Sequence, residues 1–196
     1  MTFTSGFKRT SILAATIVLS LAATTIANAG CKDPAGPRVN WSGCYLPYAD
    51  VIGANLSGAN LSGSNLSGVD FTGANLGSAN LSNARLDYAI LTSAELGYAT
   101  LTNAHLPGAK LYSADLSYAE LAGVDFSDAI LHHANFTGAN LTGAYLDHAD
   151  LTNAILVNAK LGGARFYQSI MTGADLSYAI WIDGRKCAKG SIGVCK

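Results

Sequence analysis

Charge is what this sequence has least of. Asp, Glu, Lys and Arg make up 13 % of its 196 residues, about half the usual share for a soluble domain. Disorder is excluded, because disordered chains are highly charged and poor in apolar residues, whereas 49 % of this chain is hydrophobic. The surface must therefore be built from small neutral polar residues, mainly Asn, Ser, Thr and Gly. The formal net charge is −1, and loss of Lys8 and Arg9 with an N-terminal leader leaves ten basic residues against thirteen acidic ones, a charge of −3. Neither a basic nucleic-acid-binding surface nor a strongly acidic imitation of nucleic acid follows from that balance. Nothing in length or composition calls for a second domain.

Long apolar runs are missing but for one. Ile12 to about Ala23 follows Lys8 and Arg9 and precedes Ala27-Asn28-Ala29, the grammar of a signal peptide cleaved after Ala29. A membrane anchor is the alternative, but the run is diluted with Ala, Ser and Thr and is short of the roughly 20 residues a span needs. A lipid on Cys31 is a third reading, against which Asn28 stands where a lipoprotein signal carries Leu. Cysteine is sparse too. Only Cys31, Cys44, Cys187 and Cys195 occur, all beyond the cleavage point, in two local pairs at the two ends of the chain. Export and an even count point to disulfides, with three connectivities open to four cysteines.

What the chain has in abundance is a repeat. From about Tyr45 onward it reads Ala54-Asn55-Leu56-Ser57-Gly58, Ala59-Asn60-Leu61-Ser62-Gly63 and so on, with a large apolar residue at every fifth position: Leu56, Leu61, Leu66, Phe71, Leu76, and onward through Leu116, Phe126, Phe136 and Phe166 to Trp181. Two residues before each stands a small residue, usually Ala, with Ser64, Val69, Val124 and Ser169 as departures. A period of five fits neither the helical 3.6 nor the strand alternation of 2. It fits a coil in which four five-residue units make four sides, each pointing one large and one small residue inward and stacking on the equivalent side one coil away.

This pattern resembles the pentapeptide-repeat family, whose motif is A-(N/D)-L-x-x, over Val51 to Trp181 in roughly 26 units. The resemblance implies an all-β fold, a right-handed quadrilateral β-helix, and a bacterial source. Parallel β connections prefer the same hand. About 6.5 coils at 4.8 Å make a rod roughly 30 Å long. The domains expected are a signal peptide over 1–29, an N-terminal disulfide cap over 30–48, the repeat β-helix over 49–181 and a C-terminal disulfide cap over 182–196. Of the three connectivities, only Cys31 with Cys44 and Cys187 with Cys195 joins residues within one end, and the intervening array keeps the four from meeting around a zinc ion. Cys44 stands in register with the small inward position, five residues before Ala49. Trp181 is large enough to plug the last coil.

Stacking at a spacing of twenty gives a way to look for chemistry. One outward row runs Thr72, Thr92, Tyr112, His132, Thr152, Thr172, and another runs Tyr98, Tyr118, Gly138, Asn158, Tyr178. The threonines resemble the face of an ice-binding solenoid, but Tyr112 and His132 interrupt it. His132 and His133 occupy the two outward positions of one unit and point apart, with neither Cys nor a paired carboxylate beside them, so a metal site is disfavoured. Glu95, Asp115 and Asp175 share a row, two of them where the repeat takes Asn or Asp. No nucleophile elbow, zinc-protease helix or phosphate-cradling loop occurs, and the sequons at Asn55 and Asn135 are by-products of the repeat. The tyrosines, above all Tyr98, Tyr118 and Tyr178, suit contact with a protein or glycan partner, because Tyr offers a large rigid surface with a polar tip.

The residues thus point to an exported periplasmic or secreted scaffold, non-catalytic and without a cofactor, that binds a protein or envelope component as a monomer or a weak end-to-end dimer. Nucleic acid is not an expected partner, and no membrane span is expected after cleavage. The resemblance offers a second reading, protection of DNA gyrase by a rod that imitates DNA, and an enzyme with an unrecognised site is a third. If the five-residue phase is right, Leu116→Asp abolishes the β-type circular dichroism because it buries a charge, while Ser117→Asp one residue along leaves it intact. Equal loss in both variants contradicts the phase.

Overall fold

The computed structural model describes residues 29–196. But for Ala29, the expected signal peptide lies outside the described residues. Each five-residue unit forms one side of a coil and pairs in parallel with the unit twenty residues on, from Asn40↔Asn60 to Lys160↔Ile180. The unit around Leu56 illustrates the bonding. Its Leu56 N–H donates to Asn75 C=O at 2.7 Å, Asn75 N–H donates back to Ala54 C=O at 2.9 Å, and Gly58 N–H donates to Gly77 C=O at 2.9 Å. Ala59 N–H donates to Leu56 C=O at 3.0 Å and closes a β-turn. Among the described residues no strand exceeds a single bridged residue, and the one helical element is a 3₁₀ turn at Ala29–Lys32.

The repeat's residue preferences follow from this bonding. Gly58, third in its turn, lies at φ 65°, the left-handed region that type II turns require and that glycine enters without steric cost. Pro47 and Pro107 stand second in theirs, where a fixed φ suits the turn. The coil leaves one N–H per unit without a backbone acceptor, that of the residue after the large apolar one. Asn or Asp two residues earlier supplies it: Asn55 Oδ1 accepts from Ser57 N–H at 3.1 Å, and Asp70 Oδ1 accepts from both the N–H and the hydroxyl of Thr72.

We number the faces by their central residues. Face 1 is centred on Trp41, Leu61 and every twentieth residue to Trp181; face 2 runs from Leu46 to Phe166, face 3 from Val51 to Met171, and face 4 from Leu56 to Leu176. Inside, Leu56, Leu61, Leu66, Phe71, Leu76, Leu116, Phe126 and Phe136 are fully buried, each contributing roughly 1.5–3 kcal/mol. The small residues between them let neighbouring sides approach. Ser64 is buried in one such position and satisfies its hydroxyl on Leu61 C=O.

Both ends depart from expectation. The coil begins before residue 49, because Asn40 already pairs with Asn60 and Trp41 and Leu46 fill inward positions at 1 % and 4 % exposure. Cys44 occupies the small inward position and bonds Cys31, with Cα atoms 5.5 Å apart. At the other end Trp181 does not plug the last coil. Trp181 N–H donates to Arg185 C=O in a turn that sends the chain back across the end, antiparallel, pairing Ile180 with Lys186 and Asp175 with Ile192. The plug is instead the Cys187–Cys195 disulfide with Ser191, all buried under faces 4 and 1. Trp181 lies beside Phe166, rings stacked at 5.4 Å, and both are only partly buried. Faces 2 and 3 therefore end uncovered: the N–H groups of Phe166 and Met171 lack the backbone acceptors that Leu146 and Leu151 have one coil earlier.

Stability in a solenoid is close to a sum of neighbour terms, and the Cys187–Cys195 loop is worth only about 2–3 kcal/mol. We therefore expect the Cys187→Ser/Cys195→Ser variant to keep its β spectrum while associating through the uncovered last coil. Light scattering beside circular dichroism reads both; complete unfolding on loss of this bond would show that the cap nucleates the fold.

Candidate functional site

Only the residues flanking each central position and the third turn residue point outward, so each of the four faces carries parallel rows of mostly short side chains. Face 3 carries the threonine row. Thr72 and Thr152 turn their hydroxyls onto Asp70 and Asp150, and Tyr112 and His132 break the row. His132 does have a carboxylate beside it: its Nε2 lies 2.7 Å from Asp150 Oδ2, one coil on, while Tyr112 packs edge-on against His133 at 5.6 Å. Burial works against the charge on Asp150, but hydrogen bonds from Thr152 and His132 outweigh it and hold its pKa below the ordinary aspartate range. The stability that carboxylate adds is present above that range and lost as pH falls through the depressed value. Among the described residues no three His, Cys, Asp or Glu side chains gather closely enough to hold a metal ion.

Face 2 is charged but internally paired. Arg85 meets Asp87 at 3.3 Å, His105 lies 3.8 Å from Asp125, and Arg165 bonds Asp147 while covering the Tyr145 ring at 5.2 Å. Burial opposes ionisation of Asp87 too, and hydrogen bonds from Arg85, its own backbone and Ser67 more than offset it, so its pKa is lowered. Such exposed pairs contribute about 1 kcal/mol or less each.

The tyrosines stand in an unusual place. Tyr48, Tyr88, Tyr98, Tyr118 and Tyr178 all occupy the third turn position at φ between 57° and 64°, where a bulky side chain costs about 1 kcal/mol or more. The rings of Tyr48, Tyr88 and Tyr118 lie along the rod over the residue twenty positions later, which in each case is glycine. A Cβ at Gly68 would lie 2.5 Å from the Tyr48 ring, one at Gly108 2.7 Å from Tyr88, and one at Gly138 2.7 Å from Tyr118. Glycine is thus the seat of the preceding tyrosine. Tyr98 rests on Tyr118, ring centroids 5.2 Å apart and 9° from parallel. Tyr178 lies three coils from Tyr118 and carries the ammonium of Lys186 over its ring at 5.5 Å. The structure brings Tyr98 and Tyr118 together and leaves Tyr178 apart.

Beside that pair face 4 is hollowed. Gly77 and Gly97 stand where the other coils carry Ser57, Ser117, Thr137, Val157 and Ser177, and their missing side chains open a shallow trough of about 590 Å³. Asn75, Glu95 and Asp115 line one flank, Ser78 and Tyr98 the other. Asp115 Oδ1 accepts from Ser117 N–H at 3.0 Å and from the Asn135 amide at 3.1 Å. The Glu95 carboxylate has no hydrogen bond or ion pair among the described residues, and no Lys or Arg lines the trough. Sequence reasoning found the acidic row and the tyrosine row but not the hollow between them; two glycines twenty residues apart at a Ser/Thr position were the signal.

A profile of pentapeptide repeats matches the chain in eight copies, over residues 37–63, 64–97, 94–132, 119–158, 129–168 and 156–180. A search of curated proteins finds no match. Among solved structures, HetL, a pentapeptide repeat protein involved in heterocyst differentiation regulation in the cyanobacterium Nostoc sp. strain PCC 7120, is similar at 27 % identity over 76 % of this chain and 92 % of its own, with a TM-score of 0.48. A pentapeptide repeat protein of the Arabidopsis thaliana thylakoid lumen aligns at 34 % identity over 60 % and 68 % of the two chains, TM-score 0.28. The plasmid-mediated fluoroquinolone resistance protein QnrB1 aligns at 21 % over 71 % and 73 %, TM-score 0.36.

The seat can be tested by a double-mutant cycle. Gly138→Ala should cost about 1–2 kcal/mol with Tyr118 present and clearly less in a Tyr118→Ser background, where only the positive φ remains to be accommodated. Equal costs in urea titrations would mean that ring and glycine do not interact.

Proposed function

The chain belongs to the pentapeptide-repeat family, and on that premise we propose that it is an exported, non-catalytic scaffold that binds a protein of the cell envelope through the tyrosine-edged face 4. The observation that carries this reading is the backbone position of the tyrosines. Five of them sit in left-handed turns where glycine would be cheaper, and strain kept at an exposed site points to use of that site. Tyr98 and Tyr118 offer a rigid aromatic surface on a rod otherwise clothed in small polar groups, the kind of anchor that dominates protein interfaces. Two disulfides suit an oxidising compartment, as does the leader-like start of the sequence. No described helix is long and apolar enough to cross a membrane. We take the coil to be right-handed, in keeping with the preference of parallel β connections. A charge near −3 for the chain after leader removal is weak for a DNA mimic and does not favour the gyrase-protecting reading.

Two measurements test the proposal together. A reporter fused after Lys196 is expected outside the cytoplasm on a chain beginning at Gly30; an uncleaved N-terminus in the membrane fraction or a lipid on Cys31 would replace the soluble exported form. The mature chain used as bait in envelope extract is expected to capture a protein that the Tyr98→Ser/Tyr118→Ser variant does not. Undiminished capture by that variant overturns the assignment of the face.

A further inference from the structure

We propose that the trough on face 4 receives the cationic side chains of an extended basic segment, Lys or Arg, presented by the partner protein. The proposal rests on the reading of this face as the partner surface and supplies its chemistry. The first argument is charge. The acids Asp87, Asp125 and Asp147 of face 2 each have a basic side chain of this chain within 4 Å, whereas Glu95 has no partner and Asp115 uses only Oδ1, leaving Oδ2 without a hydrogen bond. Both line one open hollow. Two carboxylates on neighbouring coils, whose backbones stack about 4.8 Å apart, with no cation of their own, favour a guanidinium or ammonium over any neutral or acidic group.

The second argument is aromatic. Tyr118 lies over Gly138 and Tyr98 stacks on Tyr118; the preceding coil carries Ser78 at this corner, so the stack ends at Tyr98, which lines the trough. Tyr98 is accordingly 66 % exposed against 52 % for Tyr118. A free ring face beside carboxylates is a cation–π site. The molecule already uses its other end of this corner in that way, since Lys186 of the cap occupies the ring of Tyr178. Third, Glu95 stands just before the turn from Leu96 to Ala99 and Tyr98 at its corner, and both line the trough. An extended segment can lay one cation on the Glu95–Asp115 pair and a neighbouring one on Tyr98, with its backbone over the bare floor at Gly77 and Gly97.

The floor supplies the sharpest test. Gly97 is not at positive φ, and a Cβ there meets only ordinary contacts, the nearest at 3.7 Å. Gly97→Thr, which restores the residue type other coils carry, should therefore fold normally and fill the trough. The probe is a fluorescent heptapeptide of alternating Gly and Arg, titrated by anisotropy into the mature chain at low salt, with its Glu counterpart and a neutral oligosaccharide as comparisons. Saturable 1:1 binding of the Arg peptide alone is expected. It should weaken about tenfold or more in Gly97→Thr and in Glu95→Gln/Asp115→Asn, and severalfold in Tyr98→Ser. Glu120→Gln on face 1, whose carboxylate bonds Asn140, should change nothing. No saturable binding, equal binding of the Glu peptide, preference for the oligosaccharide, or indifference to Gly97→Thr each overturns the proposal. If a captured envelope protein depends on Tyr98 and Tyr118 but not on Glu95 and Asp115, the cation site fails while the partner face stands; if it depends on neither pair, both fail.

Discussion

Everything in this structure depends on the hydrogen bonds between residues twenty apart. They fix three of the five N–H groups in each unit to backbone acceptors one coil on or back, and a fourth is held within the turn. A backbone accounted for so completely permits little else. The inward positions must be one large and one small apolar residue, the third turn residue must tolerate positive φ, and the residue before the large one is pressed into satisfying the fifth N–H with Asn or Asp. Packing then adds energy to a geometry that hydrogen bonding has already chosen, because each Leu meets its equivalents above and below at a spacing the ladder dictates.

That regularity leaves function few places to reside. Variation is cheap only at the outward positions and at the turn corners, and the chain spends it unevenly. Face 2 carries acids and bases that neutralise one another, and face 3 mixes Thr and Ile with the His132–Asp150 pair. Face 4 alone combines unneutralised carboxylates, a hollow made by two glycines, and an aromatic stack ending in an open ring. The tyrosines and glycines of the corners are two halves of one device: a ring that projects along the rod requires the next coil to have no side chain beneath it. The hollow arises differently, by deletion of Ser or Thr at Gly77 and Gly97, where the backbone would accept either.

Most of the fold was legible because the period of five is written at positions that the core enforces. Leu56 to Leu156 could be assigned inward from spacing alone. The first coil was harder to read: Trp41, Leu46 and Val51 keep the phase, but Tyr45, Pro47 and Tyr48 disguise the motif around them. Trp181 misled for the opposite reason. Its phase is right, but the turn from Trp181 to Arg185 folds the cap over faces 4 and 1, so burial goes to Cys187 and Ser191 and the indole stacks on Phe166 at the edge. Pairing of His132 with Asp150 also escaped, since their separation of eighteen joins two different outward rows. The candidate site was half legible: acidic and aromatic rows follow from a stacking period of twenty, whereas ring direction and the depth of the trough depend on side-chain geometry that no spacing encodes.

The central claim, that inter-coil hydrogen bonds at a spacing of twenty define the molecule, is tested most directly by native-state hydrogen exchange resolved to single amides. The account predicts slow exchange with a period of five through the middle coils, the amides of Leu96, Leu101 and Leu111 among the slowest, and a protection minimum at the residue after each, sharpest where the residue before the large one is neither Asn nor Asp, as at Gly97 after Glu95. Protection should fall at Phe166 and Met171, whose donors face no further coil. Uniform protection across each unit, or a period other than five, would contradict it.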